Sequence, residues 1–171
     1  MSNYLSQFIE DHMDFPKKGI LFKDILPVLQ QPDVFSKLIN KMSSSEIVED
    51  SDALVAIDAR GFIFGSAISI QKSKPLILAR KPGKLPGNLL TKSYSLEYGE
   101  NELSIQNKAI QDFQTFTIID DLLATGGTAK CVSEILRDAK KTILGLSVVI
   151  ELSDINGKLE LDFPVISQLV L

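Results

Sequence analysis

Two adjacent carboxylates stand just before a glycine-paired turn in residues 117–130, which read TIIDDLLATGGTAK. The turn comprises Ala124, Thr125, Gly126, Gly127 and Thr128. Its backbone N–H groups would point outward at the start of a helix, where the helix dipole adds about half a positive charge, so the turn favours a phosphate. The glycines permit positive φ and a close approach of backbone to oxygen. Asp120 and Asp121 would repel a phosphate but accept hydrogen bonds from hydroxyl groups. The stretch therefore predicts a sugar-phosphate site, with the ribose on the two carboxylates.

The motif by itself leaves an alternative open, since a solvated strand end followed by an ordinary capped turn has the same residues. The turn is neither a Walker A loop with its lysine nor a GxGxxG fingerprint, so it indicates a smaller monophosphate site. The absence of GxGxxG after the first strand also argues against a dehydrogenase.

The elements that must position this motif follow from hydrophobic periodicity. The spacing of Leu5, Phe8, Ile9 and His12 predicts a short amphipathic helix over residues 2–12, and SSSEIVEDSD reads as a loop. Further helices are predicted from Pro32 through Met42, after Gly61, and over 128–140. Buried strands are predicted over 53–58, 75–80, 115–120, 142–152 and 163–171. Strand–helix–strand units of this kind predict one α/β domain over residues 1–171, with a mostly parallel central sheet flanked by helices.

Residues 81–101 interrupt this order. Prolines and glycines recur there at Pro82, Gly83, Pro86, Gly87 and Gly99. A continuous element cannot accommodate them, so a long irregular or hairpin-like excursion is expected, and loops of that length are commonly lids.

Composition and charge limit the classes of function. A chain of 171 residues suffices for one domain with a full core. The formal charge is −4 and the 18 basic residues form no helical stripe, so nucleic acid is not an expected partner. We expect no membrane partner either, since no apolar run approaches the roughly 20 residues of a spanning helix and the N-terminus lacks a signal-peptide pattern. A single cysteine, Cys131, and a single histidine, His12, exclude a disulfide framework and a zinc cluster and favour the cytoplasm.

Five segments together resemble the type I phosphoribosyltransferases, whose signature is a hydrophobic strand, two acids and a T-G-G-T turn. Within that family the resemblance is to the adenine-using branch. The segments are DFPKKGILFKDILPVL (14–29), DARGFIFGSAI (58–68), RKPGKLPG (80–87), SYSLEYG (93–99) and IIDDLLATGGT (118–128). The resemblance implies a single-domain type I phosphoribosyltransferase fold with a mobile lid over 81–101 and a base-binding segment within residues 1–30.

The resemblance also implies roles for individual residues. It assigns Glu97 to proton transfer on the base, Arg60 to catalysis, and Tyr94 and Tyr98 to the closed lid. Pyrophosphate binding falls to Asp58, Ala59, Arg60, Arg80, Lys81 and Lys84, and the peptide bond between Asp58 and Ala59 is expected to be cis. Adenine binding falls to Leu21, Phe22, Lys23 and Leu152. Without the resemblance, a basic loop and a lone loop glutamate would be read as solvent-exposed residues, and Phe22 as core packing.

The chain departs from the family pattern at three places. Lys23 stands where arginine is common, so a planar bidentate contact becomes a single flexible charge. QDFQTF (111–116) lacks a Pro-Gly turn, and RDAKKTILG lacks a glycine after its helix. Cys131 is expected to be a small buried apolar residue, and His12 a helix-face residue without catalytic duty.

The implied reaction joins adenine to 5-phosphoribosyl-1-diphosphate to give AMP and pyrophosphate, with Mg²⁺ held mainly by substrate oxygens and water rather than by protein ligands. A homodimer is implied as well. Two alternatives stay open: a relative that uses a 6-oxopurine or xanthine, and a regulator that senses the phosphoribosyl donor. The regulator would need a DNA-binding domain or a basic face.

Overall fold

The framework of the protein is a central parallel sheet, accompanied in the described residues by two separate two-stranded hairpins. The structure, a computed structural model, describes residues 4–96 and 99–171, with the backbone alone for 95, 96, 99 and 100. The strands and helices in chain order are β1 (Glu10–Met13), β2 (Leu21–Asp24), α1 (Leu26–Leu29), α2 (Pro32–Ser43), α3 (Glu46–Glu49), β3 (Ala53–Ile57), α4 (Gly61–Lys72), β4 (Leu76–Ala79), β5 (Leu89–Leu96), β6 (Gly99–Gln106), β7 (Thr115–Leu123), α5 (Gly127–Asp138), β8 (Thr142–Glu151) and β9 (Val165–Val170).

The central sheet has five strands in the order β4-β3-β7-β8-β9, and every neighbouring pair is parallel. Parallel strands are covered on both faces, which is why β3 reads as the uninterrupted apolar run ALVAI, with all five residues buried. The sequence-based prediction of an α/β fold with a mostly parallel sheet flanked by helices is confirmed.

Three helices of 12 residues cover the sheet. On one face α2 and α4 bury Leu38, Met42, Phe64 and Ile68 in one apolar core. On the other face α5 packs with the strand β6 in a second core. In the ranges that the structure describes, no helix is both long enough and apolar enough to cross a membrane.

The excursion predicted over 81–101 is an irregular loop that leads into an antiparallel hairpin of β5 and β6, paired from Leu89↔Gln106 to Leu96↔Gly99. The hairpin is joined to the end of β4 by two backbone hydrogen bonds between Arg80 and Ser104, of 2.9 and 2.8 Å. It therefore stands at the carboxyl edge of the central sheet, where ligands bind in open α/β folds.

The prediction of a helix over residues 2–12 is wrong. Residues Ser6–Phe8 form a single 3₁₀ turn, and Glu10–Met13 form strand β1, which pairs antiparallel with β2. Leu5 is fully buried and Phe8 and Ile9 pack against the same core, so the apolar spacing marks anchoring points rather than a helix face. Short apolar runs do not distinguish these cases. His12 consequently lies on a strand, not on a helix face.

Two further predictions also differ from the structure. The supposed loop SSSEIVEDSD contains the one-turn helix α3, because Ile47 and Val48 are buried against the core. Strand β7 continues through Asp120 and Asp121 to Leu123 instead of ending at residue 120, since Leu122 and Leu123 still pair with β8.

The core contact of α4 gives a test of the fold. Phe64 is fully buried and its ring meets that of Phe35 edge-on at 6.0 Å, so Phe64→Ala should lower the free energy of unfolding by about 3–5 kcal/mol. Ile70 on the same helix is 82% exposed, and Ile70→Ala should change it by no more than about 0.5 kcal/mol. Urea denaturation of both variants measures the difference, and equal losses would contradict this packing of α4.

Candidate active site

The end of β3 begins the site. The peptide bond between Asp58 and Ala59 is cis, as expected from the resemblance, and Arg60 directly precedes α4. The first residue of α4 is Gly61, where a Cβ would lie 2.8 Å from the carbonyl oxygen of Ile119 and 3.0 Å from Oδ1 of Asp120. Only glycine allows this approach, so the local sequence brings the start of α4 against the acidic part of β7.

Arg60 connects three elements at this point. Its Nε lies 2.7 Å from Oδ2 of Asp121, whose side chain is 8% exposed. Its guanidinium also lies over the ring of Phe22 in β2, 5.2 Å from the ring centre, which is within the range of a cation–π contact. Arg60 thus ties the hairpin of β1 and β2 to the end of β7.

The other carboxylate of the pair, that of Asp120, has different partners. The backbone N–H of Asp121 donates to Oδ1 of Asp120 over 2.9 Å. Burial, reinforced by the negative charge of Asp121, raises the pKa of Asp120 well above its usual value, and Arg60 opposes this only in part. The pair therefore combines one carboxylate neutralised by arginine with one that holds its proton more strongly.

The predicted phosphate turn caps α5. Gly126 adopts φ +81°, a conformation that L side chains rarely adopt, and is the N-cap of the helix, whereas Gly127 is its first residue. Only the first glycine of the pair therefore uses positive φ. The arrangement directs backbone N–H groups at the positive end of a 12-residue helix.

A cleft of about 510 Å³ brings most of the predicted donor-binding residues together. Those that line it are Asp58, Ala59, Arg60, Lys81, Tyr94, Asp120, Asp121, Ala124, Thr125, Gly126 and Thr128. Gly127 lines an adjoining cavity instead, together with Tyr94 and Thr125.

The basic residues of the RKPGK stretch divide into different environments. Arg80 donates from Nε to Oδ2 of Asp58 over 3.1 Å, and its guanidinium stacks on Phe62. Lys81 lines the cleft, whereas Lys84 is exposed and does not. Lys81 thus lines the cleft directly. Arg80 does not line it, but is hydrogen-bonded to Asp58, which does.

A second cavity, of about 540 Å³, collects the residues predicted to hold a base. Leu21, Phe22, Lys23 and Leu152 all line it. Its lining shares Arg60, Leu122 and Ala124 with the cleft, so the two spaces meet at those residues. A flat apolar group in one and a sugar phosphate in the other would be neighbours.

Lys23 has a partner within the hairpin. Its Nζ lies 2.8 Å from the carboxylate of Asp11, its register partner across β1 and β2. The lysine that replaces the family's usual arginine is therefore occupied by a structural contact while its side chain still borders the cavity.

Sequence reasoning missed several lining residues. Asn101 lines the cleft, and Leu122, Asp154 and Ile155 line the second cavity. Leu122 could have been predicted, because the apolar LL pair after the acids contains no strand breaker and therefore continues the strand. The other three come from the hairpin and from the segment after β8, whose courses depend on tertiary contacts.

Glu97 and Tyr98 lie outside the described residues. Cys131 is 2% exposed, and burial raises the pKa of its thiol to about 11, as suits a small apolar residue. His12 lies within the hairpin of β1 and β2, where its Nε2 is 3.8 Å from Oε2 of Glu10 and 3.9 Å from Oδ2 of Asp24. No group of three or more metal-ligating side chains occurs in the described ranges.

Comparisons with known proteins identify the family of the chain. The family model described as "Phosphoribosyl transferase domain" matches residues 28–167. An adenine phosphoribosyltransferase of Prochlorococcus marinus is 65% identical over 170 residues, with 99% of each chain covered. The crystal structure of adenine phosphoribosyltransferase from Thermoanaerobacter pseudethanolicus matches with a TM-score of 0.93 at 35% identity, over 98% of each chain. That of Saccharomyces cerevisiae, complexed with D-2,5-dideoxy-2,5-imino-altritol 1,6-bisphosphate and adenine, matches with a TM-score of 0.90 at 34% identity, over 96% of each chain.

The acidic pair predicts a pH dependence of stability. Because the pKa of Asp120 is raised on folding, its contribution is fully present below the ordinary pKa of 3.8 and is lost as the pH rises through the raised value. Asp120→Asn keeps the Oδ1 acceptor but cannot ionise. The variant should therefore gain thermal stability relative to the wild type as the pH is raised from about 4 to 8.

Asp52 provides a control of opposite sign. Backbone N–H groups of Thr115 and Gln114 donate to its carboxylate and lower its pKa, so Asp52→Asn should lose stability at neutral pH and lose less as the pH falls. Thermal melts across the pH range measure both. Parallel curves for the wild type and Asp120→Asn would contradict the raised pKa.

Proposed function

The chain belongs to the phosphoribosyl transferase family, and we propose that it is the enzyme that transfers the 5-phosphoribosyl group of 5-phosphoribosyl-1-diphosphate to N9 of adenine, giving AMP and pyrophosphate. One observation carries the proposal: a cleft with two carboxylates and a phosphate turn meets an apolar cavity at Arg60, Leu122 and Ala124. The relatives named adenine phosphoribosyltransferase over nearly their full length support adenine as the base.

The donor is proposed to lie in the cleft. The 5′-phosphate accepts hydrogen bonds from the turn of residues 124–128, and the ribose hydroxyls donate to Asp120 and Asp121. The diphosphate faces the end of β3, with contributions from Asp58, Ala59, Arg60, Arg80, Lys81 and Lys84. The charge that develops on the leaving diphosphate is the quantity that such fixed donors stabilise.

Adenine is proposed to lie in the second cavity, against Phe22 on one face and Leu152 on the other. In the described ranges β2 pairs with β1 alone, so alternate residues of β2 turn their N–H and C=O groups to its other edge. The backbone around Leu21 can in this way offer a carbonyl to the N6 amino group and an amide to N1. Lys23, held by Asp11, supports the strand rather than the base.

The chemical step forms the bond between N9 and C1′ and breaks the bond from C1′ to the diphosphate oxygen. The proton of the adenine ring passes to Glu97, and pyrophosphate leaves with the electron pair of the broken bond. We propose that residues 81–101 form a lid, to which the resemblance assigns Tyr94 and Tyr98, and that its closure excludes water from the cationic ribosyl centre.

Magnesium is proposed to accompany the donor. We propose that diphosphate oxygens and water hold most of the ion's coordination sites, as is usual for this hard cation beside phosphates, in the cleft that Asp120 and Asp121 line. When bound there, Mg²⁺ would neutralise part of the charge on the phosphate oxygens.

We also propose a homodimer in the cytoplasm that uses neither nucleic acid nor membrane as partner. The apolar start of helix α4, GFIFG, supports an interface between copies, because Ile63 there is 36% exposed. The single unpaired cysteine supports a reducing compartment.

A panel of bases tests the function. Each base is incubated with 5-phosphoribosyl-1-diphosphate and Mg²⁺, and the nucleotide products are separated. Hypoxanthine reverses the hydrogen-bonding pattern of adenine at both N1 and position 6. Since each unpaired buried group costs roughly 1–3 kcal/mol, adenine should be preferred by about 10²–10⁴-fold in kcat/KM. Comparable values would remove the adenine assignment but leave a phosphoribosyltransferase, and no nucleotide with any base would remove both.

Two variants sharpen this panel. Leu21→Val should keep the preference, because backbone atoms read the base. Phe22→Ala should weaken the use of all bases together by removing the stacking face.

Glu97 should act on the chemical step. Loss of a general acid–base group typically lowers the rate by about 10²–10⁴-fold, so Glu97→Gln should lower kcat to that extent while donor affinity in calorimetry changes little. Full turnover in this variant would exclude Glu97 from the mechanism.

A further inference from the structure

The segment that follows β8 contacts the backbone of the phosphate turn at Gly157. Gly157 is buried, whereas its neighbours Asn156 and Lys158 are exposed. A Cβ at Gly157 would lie 1.9 Å from the carbonyl oxygen of Ala124 and 2.6 Å from the carbonyl carbon of Thr125. The contact is reciprocal, since a Cβ at Gly126 would lie 2.6 Å from the carbonyl oxygen of Gly157.

The same segment forms a wall of the base cavity. Leu152, Asp154 and Ile155 line that cavity a few residues before Gly157. The segment is fixed at its start, because the N–H of Leu152 donates to the carbonyl of Leu123 over 2.9 Å. The N–H and Oγ of Ser153 both donate to the carbonyl of Leu171, over 2.7 and 2.8 Å.

We propose that Gly157 is a positioning residue that sets the shape of the phosphate turn and its distance from the base cavity. The proposal rests on the function proposed above, since it assigns the turn to the donor's 5′-phosphate. Gly157 lines neither the cleft nor the base cavity: it acts through the backbone of Ala124 and Thr125.

Backbone atoms on both sides explain why a side chain here must move the turn. A flexible side chain could rotate away from an added methyl group, but a carbonyl within a turn cannot do so without changing its neighbours. The turn is held between β7 and α5, and the facing segment between β8 and β9. A Cβ at position 157 therefore displaces the N–H groups that receive the phosphate.

Gly157→Ala tests the proposal, with Gly145→Ala as the matched control. A Cβ at Gly145 would also meet a backbone carbonyl, that of Pro164 at 2.7 Å, and Ile47 Cδ1 at 2.9 Å, but Gly145 lines neither cavity. Both variants should lose thermal stability. Only Gly157→Ala should lose donor binding, because displaced N–H groups of the turn lose their hydrogen bonds to the charged 5′-phosphate.

Calorimetry with 5-phosphoribosyl-1-diphosphate and Mg²⁺ gives Kd, and initial rates give KM and kcat. We expect Kd and KM for the donor to rise by about 10- to 100-fold in Gly157→Ala, with a smaller fall in kcat. Donor affinity within twofold of the wild type, or an equal loss in Gly145→Ala, would overturn the proposal. If Gly157→Ala does not fold, Gly126→Ala approaches the same contact from the turn, and normal donor affinity there would overturn it.

The two proposals fail separately in this design. A wild-type protein that binds the donor but forms no AMP overturns the proposed function, while the comparison of donor affinities still decides the role of Gly157.

Discussion

The ion pair between Arg60 and Asp121 is the interaction on which the rest of the site depends. It joins a residue at the start of α4 to one inside β7, and the stacking of Arg60 on Phe22 extends the connection to the N-terminal hairpin. Removing either partner would leave a poorly solvated charge, which costs far more than an exposed pair contributes. The pair therefore fixes the border between the donor cleft and the base cavity, which share Arg60 in their walls.

Glycines make this convergence possible. Gly61 lets the first turn of α4 approach Ile119 and Asp120, and Gly157 lets the segment after β8 approach the phosphate turn. In both places a backbone carbonyl occupies the space that a Cβ would need. The site thus forms where three backbone segments pack directly against one another. The candidate functional side chains lie around this contact.

The sequence predicted correctly those elements that long, local residue patterns specify. The strands β3 and β7 and the helices α4 and α5 were predictable because long apolar patterns and an adjacent turn motif specify them. The residues of the DDLLATGGT motif line one cleft, except for Gly127, which lines the adjoining cavity. The helix expected over 2–12 failed because three apolar residues fit either a helix face or anchoring points. Asn101, Asp154 and Ile155 were missed because their positions depend on how the hairpin and the segment after β8 pack, which no local pattern encodes.

The pairing of charges also bears on how the diphosphate would be neutralised. Arg60 is engaged by Asp121 and Arg80 by Asp58, so neither guanidinium enters the cleft as an uncompensated charge. A carboxylate has about four lone-pair sites, which lets Asp121 keep Arg60 while it accepts a ribose hydroxyl. We infer that the ion pair persists when the donor binds. Lys81 and backbone N–H groups at the end of β3 would then supply the uncompensated donors for the diphosphate, together with Mg²⁺ when it is bound. Arg60 and Arg80 would contribute from within their ion pairs, and Arg60 would also hold Phe22 in position to receive the base.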